Sequence, residues 1–189
     1  SGWTFGTAGG ASGWVIVDAN GSLNNASAAA GGTTPMLLSE YSTSISNAHQ
    51  LQLMALGLTA NYTLAANIDA GGTAAGDVWG PGGFIPIGGN YASGNFAGIF
   101  DGQGFTIANL AIDNSGAGNF DVGLFGVSDG NIGNVTLTAA SVNGGASSSA
   151  GILAGDSYGT IANASTTGTV TGDANVNAGG LVGANDGTI

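Results

Sequence analysis

Residues 121–132 read DVGLFGVSDGNI, and the pattern recurs without gaps in residues 150–161 (AGILAGDSYGTI) and 178–189 (AGGLVGANDGTI). The closing isoleucines are separated first by 29 and then by 28 residues. A period of this size is typical of stacked units, each too small to bury its own apolar side and therefore dependent on the next. The repeat predicts that this part of the chain consists of stacked layers.

Four positions of the repeat carry the same residue in all three segments. They are Leu124, Leu153 and Leu181; Gly126, Gly155 and Gly183; Gly130, Gly159 and Gly187; and Ile132, Ile161 and Ile189. We expect the leucines and isoleucines to point inward and to stack in register from layer to layer. We expect the first glycine of each segment where the backbone bends or needs a positive φ angle.

The runs between these segments predict strands. Residues 135–138 read VTLT and residues 167–172 read TGTVTG, which are short β-branched runs bounded by glycine, asparagine and aspartate. Glycine at this density is unfavourable in helices. A sandwich or barrel is the alternative, but neither requires a phase-locked repeat. We therefore predict an all-β fold of the parallel β-helix (solenoid) type.

Asparagines follow isoleucines at a constant offset in three places, namely Ile107-Ala-Asn109, Ile132-Gly-Asn134 and Ile161-Ala-Asn163. Asparagine tolerates the left-handed conformation, and stacked asparagine side chains hydrogen-bond between layers. We therefore predict an asparagine ladder of Asn109, Asn134 and Asn163. The ladder extends the repeat back to a fourth, divergent unit.

The sequence divides into three parts of one domain. Residues 1–40 are strands and loop or an arm, residues 41–70 are a cap of helix plus strand, and residues 71–189 are the repeat coils. In residues 1–40 we expect strands at 13–17 and a loop at 20–34.

One short helix is predicted near residues 46–57, with Ser46 as candidate N-cap. Leu51, Met54 and Leu58 fall on one face of this helix. A helix at this place would cover a sheet edge that is otherwise exposed.

Composition excludes several partners. The 189 residues include 38 glycines, no lysine or arginine, no cysteine, and a formal net charge of −11. A chain without cations has nothing with which to neutralise phosphates, so we expect no nucleic-acid partner. No apolar run approaches the length needed to span a bilayer, so we expect no membrane insertion. Disulfides and thiol chemistry are excluded.

A series of motifs over roughly residues 41–189 resembles a known family. Ala-His-Gln-Leu on the predicted helix is followed by residues 62–69 (YTLAANID), 84–88 (FIPIG), 96–110 (FAGIFDGQGFTIANL) and the Gly-Leu-x-Gly units. The series is similar to the GLUG-repeat region of bacterial filamentous-haemagglutinin-like adhesins of the two-partner secretion type. The resemblance implies a right-handed parallel β-helix at the bacterial cell surface, acting as stalk or adhesive fibre.

Catalytic and metal sites are not expected. His49 is the single imidazole, and its neighbours Ala48, Gln50 and Leu51 offer no carboxylate to orient it. Four aspartates sit in apparent glycine-containing turns, where aspartate is expected for structural reasons: Asp101, Asp129, Asp156 and Asp186. Residues 173–179 begin like a calcium loop, but Ala178 stands in place of the usual glycine. We therefore predict no enzyme, no metal and no cofactor.

These features predict an extracellular structural or adhesive segment of a surface protein. The alternative is a subunit that forms filaments by head-to-tail stacking, and a carbohydrate-acting enzyme is a weaker third. The partners expected are further copies or further repeats, together with a glycan or protein receptor.

Overall fold

A computed structural model of the protein describes residues 2–24, 32–74, 76–89, 94–115 and 120–189. These residues are mostly sheet, with one α-helix, α1 (Ala48–Leu53), and short 3-10 turns at Leu38–Glu40, Met54–Leu56 and Gly71–Thr73. The strands are β1 (Trp14–Val15), β2 (Met36–Leu37), β3 (Ser44–Ile45), β4 (Tyr62–Leu64), β5 (Ile68–Asp69), β6 (Ile99–Asp101), β7 (Thr106–Ala108), β8 (Ala111–Asp113), β9 (Phe125–Ser128), β10 (Asn131–Gly144), β11 (Ser149–Gly151), β12 (Ala154–Ser157), β13 (Thr160–Gly172), β14 (Asn177–Gly179) and β15 (Val182–Asn185).

The predicted right-handed parallel β-helix is wrong. In the described part of the chain the strands are divided among four separate sheets, and the sheet of β1 and β2 is antiparallel. The largest sheet has eight strands in the order β3-β4-β6-β10-β7-β5, with β8 and β13 also paired to β10. The two others are β11-β14 and β15-β12-β9.

Two features of the sequence explain this division. Residues 2–24 carry no repeat, so nothing there imposes a parallel register. Further along, glycine-containing turns such as Asp129-Gly130 and Tyr158-Gly159 separate consecutive strands. Each strand of one repeat therefore joins a different sheet.

The sequence repeat sets the register between neighbouring strands, which are parallel. Ile132 of β10 lies opposite Ile161 of β13. Ala154 of β12 lies between Phe125 of β9 and Val182 of β15. Stacking of equivalent positions is thus achieved strand by strand.

A bulge accounts for the change of period from 29 to 28 residues. The pairing of β10 with β13 shifts between Leu137 and Ala140, so that Ile132 pairs with Ile161 but Ala140 pairs with Gly168. Ala139 lies in the shift with a φ of 52°. One extra residue on the bulged strand is the expected geometry of such an irregularity.

A continuous core runs beneath the sheets. Phe125 is fully buried, with its ring centroid 4.7 Å from that of Phe96 and 5.3 Å from that of Phe100. The same core contains residues from Ile45 through Ile161. A second, smaller cluster of Val15, Met36, Leu38 and Leu53 joins the N-terminal sheet to α1.

The N-terminal region is partly as expected. β1 lies within the predicted strand at 13–17, and an isolated bridge pairs Phe5 with Trp14. Residues 20–24 are irregular apart from a bridge at Leu23. Residues 25–31 of the predicted loop at 20–34 lie outside the described residues.

The helix begins one residue later than predicted. Its N-cap is Asn47, whose side-chain Oδ1 accepts a hydrogen bond from the Gln50 amide at 2.9 Å. The Ser46 amide and hydroxyl instead donate to Gln50 Oε1, at 2.8 and 2.9 Å. Ser46 is therefore not the N-cap, although it belongs to the same capping arrangement.

Candidate functional site: an open strand layer and its polar clusters

The repeat residues occupy different environments in the three segments. Leu124 and Leu153 are fully buried, as are all but 2% of Ile132 and of Ile161. In the last segment Leu181 is only partly buried and Ile189 is 62% exposed. The difference arises because a neighbouring layer covers each of the first two segments on both sides.

The first glycine of each segment is required by close packing of the backbones. A Cβ on Gly155 would lie 2.5 Å from the Val122 nitrogen and 2.7 Å from the Asp121 Cβ. Cβ atoms on Gly126 and Gly183 would likewise meet backbone atoms of neighbouring strands. None of the three has a positive φ, so the expectation of a left-handed conformation is wrong. Gly130, Gly159 and Gly187 each approach a backbone carbonyl of the preceding layer.

The outermost layer consists of β13, β14 and β15. Among the described residues, β13 pairs along its length only with β10, β14 only with β11, and β15 only with β12. One isolated bridge joins Thr160 to Thr188. The 13-residue strand β13 contains no charged residue. A long, uncharged outer strand presents unpaired backbone groups on which another strand can add.

The asparagines form two ladders. Asn163 Nδ2 donates to Asn134 Oδ1 at 3.1 Å, and Asn134 Nδ2 donates to Asp101 Oδ1 at 3.0 Å. Asn109 belongs to a separate pair, in which its Nδ2 donates to Asp69 Oδ1 at 2.9 Å. Asn109, Asn134 and Asn163 all adopt positive φ angles of 51–61°. The bonding along the longer ladder is directional, because every amide donates toward the earlier layer.

A further ladder was not predicted. Thr171 Oγ1 donates to Asn143 Oδ1, and Asn143 Nδ2 donates to Asp113 Oδ1, both at 3.1 Å. Its sequence signal is the spacing of these residues by about one repeat. Like the first ladder, it ends on an aspartate of the earliest layer.

These aspartates are stabilised by neutral donors in a chain that has no lysine or arginine. The Asn109 amide, followed by the Gly71 N–H, lowers the pKa of Asp69. The Gln103 N–H, followed by the Asn134 amide, lowers the pKa of Asp101. The side chain and N–H of Ser115, with a smaller contribution from Asn143, lower the pKa of Asp113. Hydrogen bonds to the charged form are the cause in each case.

The four aspartates considered as catalytic candidates are not assembled into one site. Asp101 and Asp156 lie in β6 and β12 rather than in turns. Asp129 accepts bonds from the Asn95 amide at 3.2 Å. Burial raises the pKa of Asp156, the Tyr158 hydroxyl opposes the shift, and the charges of Asp121 and Asp186 add to it. In the ranges that the structure describes, no three acidic or histidine side chains are placed to hold a metal ion.

His49 lies between two carboxylates that are distant in sequence. Its Nδ1 is 2.9 Å from Glu40 Oε2, and its Nε2 is 2.9 Å from Asp77 Oδ2. The expectation that no carboxylate orients this histidine is therefore wrong. Local sequence gave no signal, because the two partners lie 9 and 28 residues away.

Gln52, on the same helix, organises a buried polar network. Its Oε1 accepts hydrogen bonds from Trp79 Nε1 and from the Ile85 amide, both at 2.9 Å, and its Nε2 donates to the Ile85 carbonyl at 3.0 Å. Gln52 is fully buried. The network attaches α1 to the chain on either side of residues 79–85.

Comparison with known proteins gives one informative similarity. Halomucin of Haloquadratum walsbyi (strain DSM 16790 / HBSQ001) is 44% identical to the chain over 124 residues, which is 65% of the chain and 1% of halomucin. The chain thus spans about 1% of the length of the curated relative it matches. Similarity to this large surface protein points to a cell-surface or extracellular location. No protein-family model and no solved structure matches the chain.

In the described part of the chain no helix is long and apolar enough to cross a membrane.

Proposed function

We propose that the chain is a structural segment of an extracellular or cell-surface protein, and that its outer layer, β13 to β15, receives a further layer of parallel strands. The observation that carries this proposal is the incomplete burial of the last repeat. Leu181 and Ile189 repeat the positions of fully or almost fully buried side chains, yet Ile189 is 62% exposed. A further layer in the same register would cover both side chains and pair the outer edge of β13.

Continuation by another repeat is favoured over stacking of a second copy. β13 offers 13 residues, whereas β3 and β5, at the opposite margins of the largest sheet, have two residues each. Head-to-tail stacking requires complementary surfaces at the two ends. The small match to a much longer relative also favours continuation. The filament subunit is therefore the second candidate, supported by the same open edge.

An adhesive role at the surface, as in haemagglutinin-like proteins with GLUG repeats, belongs to the same proposal. Its partner would be a glycan or a protein receptor. A segment that extends by repeats is suited to hold such a binding region away from the cell. We place catalysis outside this role.

The proposal predicts that an added repeat stabilises the protein. A second copy of residues 162–189 is appended after Ile189, which continues the sequence in phase with the 28-residue spacing. A fully buried isoleucine or leucine contributes about 1.5–3 kcal/mol, partly offset by the cost of ordering the new residues. Each net kcal/mol raises the Tm by about 2–4 °C in a chain of this size. Calorimetry is expected to show a higher Tm and a larger unfolding enthalpy.

The matched control carries the same 28 added residues in a shuffled order, which keeps length and composition but removes the repeat. We expect no stabilisation in this variant. Equal Tm values for the two extended chains would contradict the proposal. Sedimentation velocity of the unextended chain distinguishes the second candidate, because filaments of the native sequence would favour stacking of copies over continuation.

A further inference from the structure

His49 is the one side chain of the protein able to carry a positive charge near neutral pH, since there is no lysine or arginine. It joins three segments of the fold. The imidazole itself lies on α1, Glu40 ends the 3-10 turn after β2, and Asp77 lies in the turn before the buried Trp79. The His49 side chain is 28% exposed, so the ring is within reach of solvent protons.

The geometry of the contacts defines the protonation state. Both ring nitrogens of His49 lie 2.9 Å from a carboxylate oxygen. A neutral imidazole has one N–H and one lone pair, so it donates to only one of the two carboxylates. The other contact would then place a lone pair against a carboxylate oxygen. The arrangement is satisfied when both ring nitrogens carry a proton.

We propose that His49 is a pH-sensitive clamp, which holds Glu40 and Asp77 together when doubly protonated and releases the Asp77 turn when it loses one proton. The proposal adds a conformational device to the fold and is independent of the role of the outer strand layer.

The Asp77 contact is the one expected to open. The Asp77 side chain is 57% exposed and that of Glu40 is 36% exposed, so water replaces the lost hydrogen bond more readily at Asp77. Asp77 also has a φ of 56°, a conformation that non-glycine residues adopt at a cost. The remaining proton then stays on Nδ1 and keeps the bond to Glu40.

Release of this turn has a defined consequence. The Val78 carbonyl accepts a hydrogen bond from the Thr34 amide at 2.7 Å, and the Trp79 amide donates to the Gly76 carbonyl at 3.1 Å. The Trp79 ring contacts His49 edge-on, with centroids 5.5 Å apart. Loss of the clamp therefore loosens the turn and one of its attachments to the N-terminal region.

The electrostatics agree with the geometry. Burial lowers the pKa of His49, but hydrogen bonds and charges from Glu40 and Asp77 outweigh burial and raise this pKa above 6.5. These two carboxylates are the charged groups that face the ring, and α1 carries no other ionisable residue. Because the folded pKa is raised, the stabilisation is fully present below 6.5 and is lost as the pH rises through the folded pKa.

NMR of the full chain tests the clamp, since a single histidine needs no assignment. Nitrogen-15 shifts of the ring are expected to show two protonated nitrogens at low pH and loss of the Nε2 proton first. Hydrogen exchange of the Trp79 amide, corrected for intrinsic rates, reports opening of the turn. We expect the opening equilibrium to increase across the titration by about tenfold for each unit of pKa elevation.

Two variants complete the experiment. In Asp77→Asn the amide accepts a bond from the imidazolium and donates one to the neutral ring, so exchange at Trp79 should no longer follow the titration. Asp173→Asn removes the same charge from an exposed site and should behave as the native chain. A folded pKa at or below 6.5, initial loss of the Nδ1 proton, or an equal exchange response in Asp77→Asn would each overturn the proposal.

Discussion

Replacing Phe125 with alanine is expected to lower the free energy of unfolding by about 3–5 kcal/mol. Phe125 is fully buried, and its ring lies against those of Phe96 and Phe100 at centroid distances of 4.7 and 5.3 Å. The substitution removes the apolar surface of the ring and leaves a cavity that strands fixed by close-packed backbones cannot collapse to fill. Urea unfolding followed by circular dichroism measures the loss.

Tyr158→Ala is the matched control, because Tyr158 is 53% exposed. Its effect should stay within about 0.5 kcal/mol. A similar loss for the two variants would mean that the three phenylalanines do not form the centre of the core. A small loss for Phe125→Ala alone would lead to the same conclusion.

The second large effect is expected for Gln52→Leu, which should cost about 3 kcal/mol or more. Three buried groups lose their partner in this variant, namely the Ile85 amide, the Ile85 carbonyl and Trp79 Nε1. Each buried polar group left without a hydrogen bond costs about 1–3 kcal/mol, and the apolar leucine offsets only part of the total. Unfolding in urea gives the stability, and the NMR signal of the Trp79 indole N–H reports the local change.

Gln50→Leu makes the same chemical change one turn position away on α1. The Gln50 side chain bonds to Ser46 at an exposed site, where water replaces the lost acceptor. A change below about 1 kcal/mol is expected there, since most surface substitutions have small effects. If Gln52→Leu proved as mild as Gln50→Leu, the network around Gln52 would not be essential to the packing of α1.

The layered register was accessible from the sequence because it is written in a repeat. Equal spacing of Ile132, Ile161 and Ile189 predicts that equivalent positions stack, and Ile132 does pair with Ile161. The same spacing carries no information on chain direction at the turns. This is why the division into separate sheets, and the antiparallel sheet before the repeats, could not be deduced.

The asparagines show a similar limit. The offset of Asn134 and Asn163 from their isoleucines corresponds to a real side-chain bond between layers. Asn109 has the same offset but bonds to Asp69, because β7 pairs with a later part of β10 than β6 does. A local motif identifies the turn conformation, whereas the bonding partner depends on which strands become neighbours.

The polar clusters around α1 were the least predictable part. Glu40, His49 and Asp77 are brought together by packing of three segments, and none of them lies within one helical turn of another. The buried role of Gln52 was equally hidden, since glutamine is usually exposed. Such clusters depend on tertiary contacts that no periodic pattern encodes.

The open outer edge of β13 is tested most directly by residue-resolved amide hydrogen exchange of the native chain in dilute solution. We predict that amides of β10, which is paired on both sides, are uniformly protected. Within residues 162–172 of β13, amides bonded to β10 should be protected, and the alternate amides, which face outward, should exchange far faster. Uniform protection along these residues would contradict the account, because it would mean that the edge is already covered.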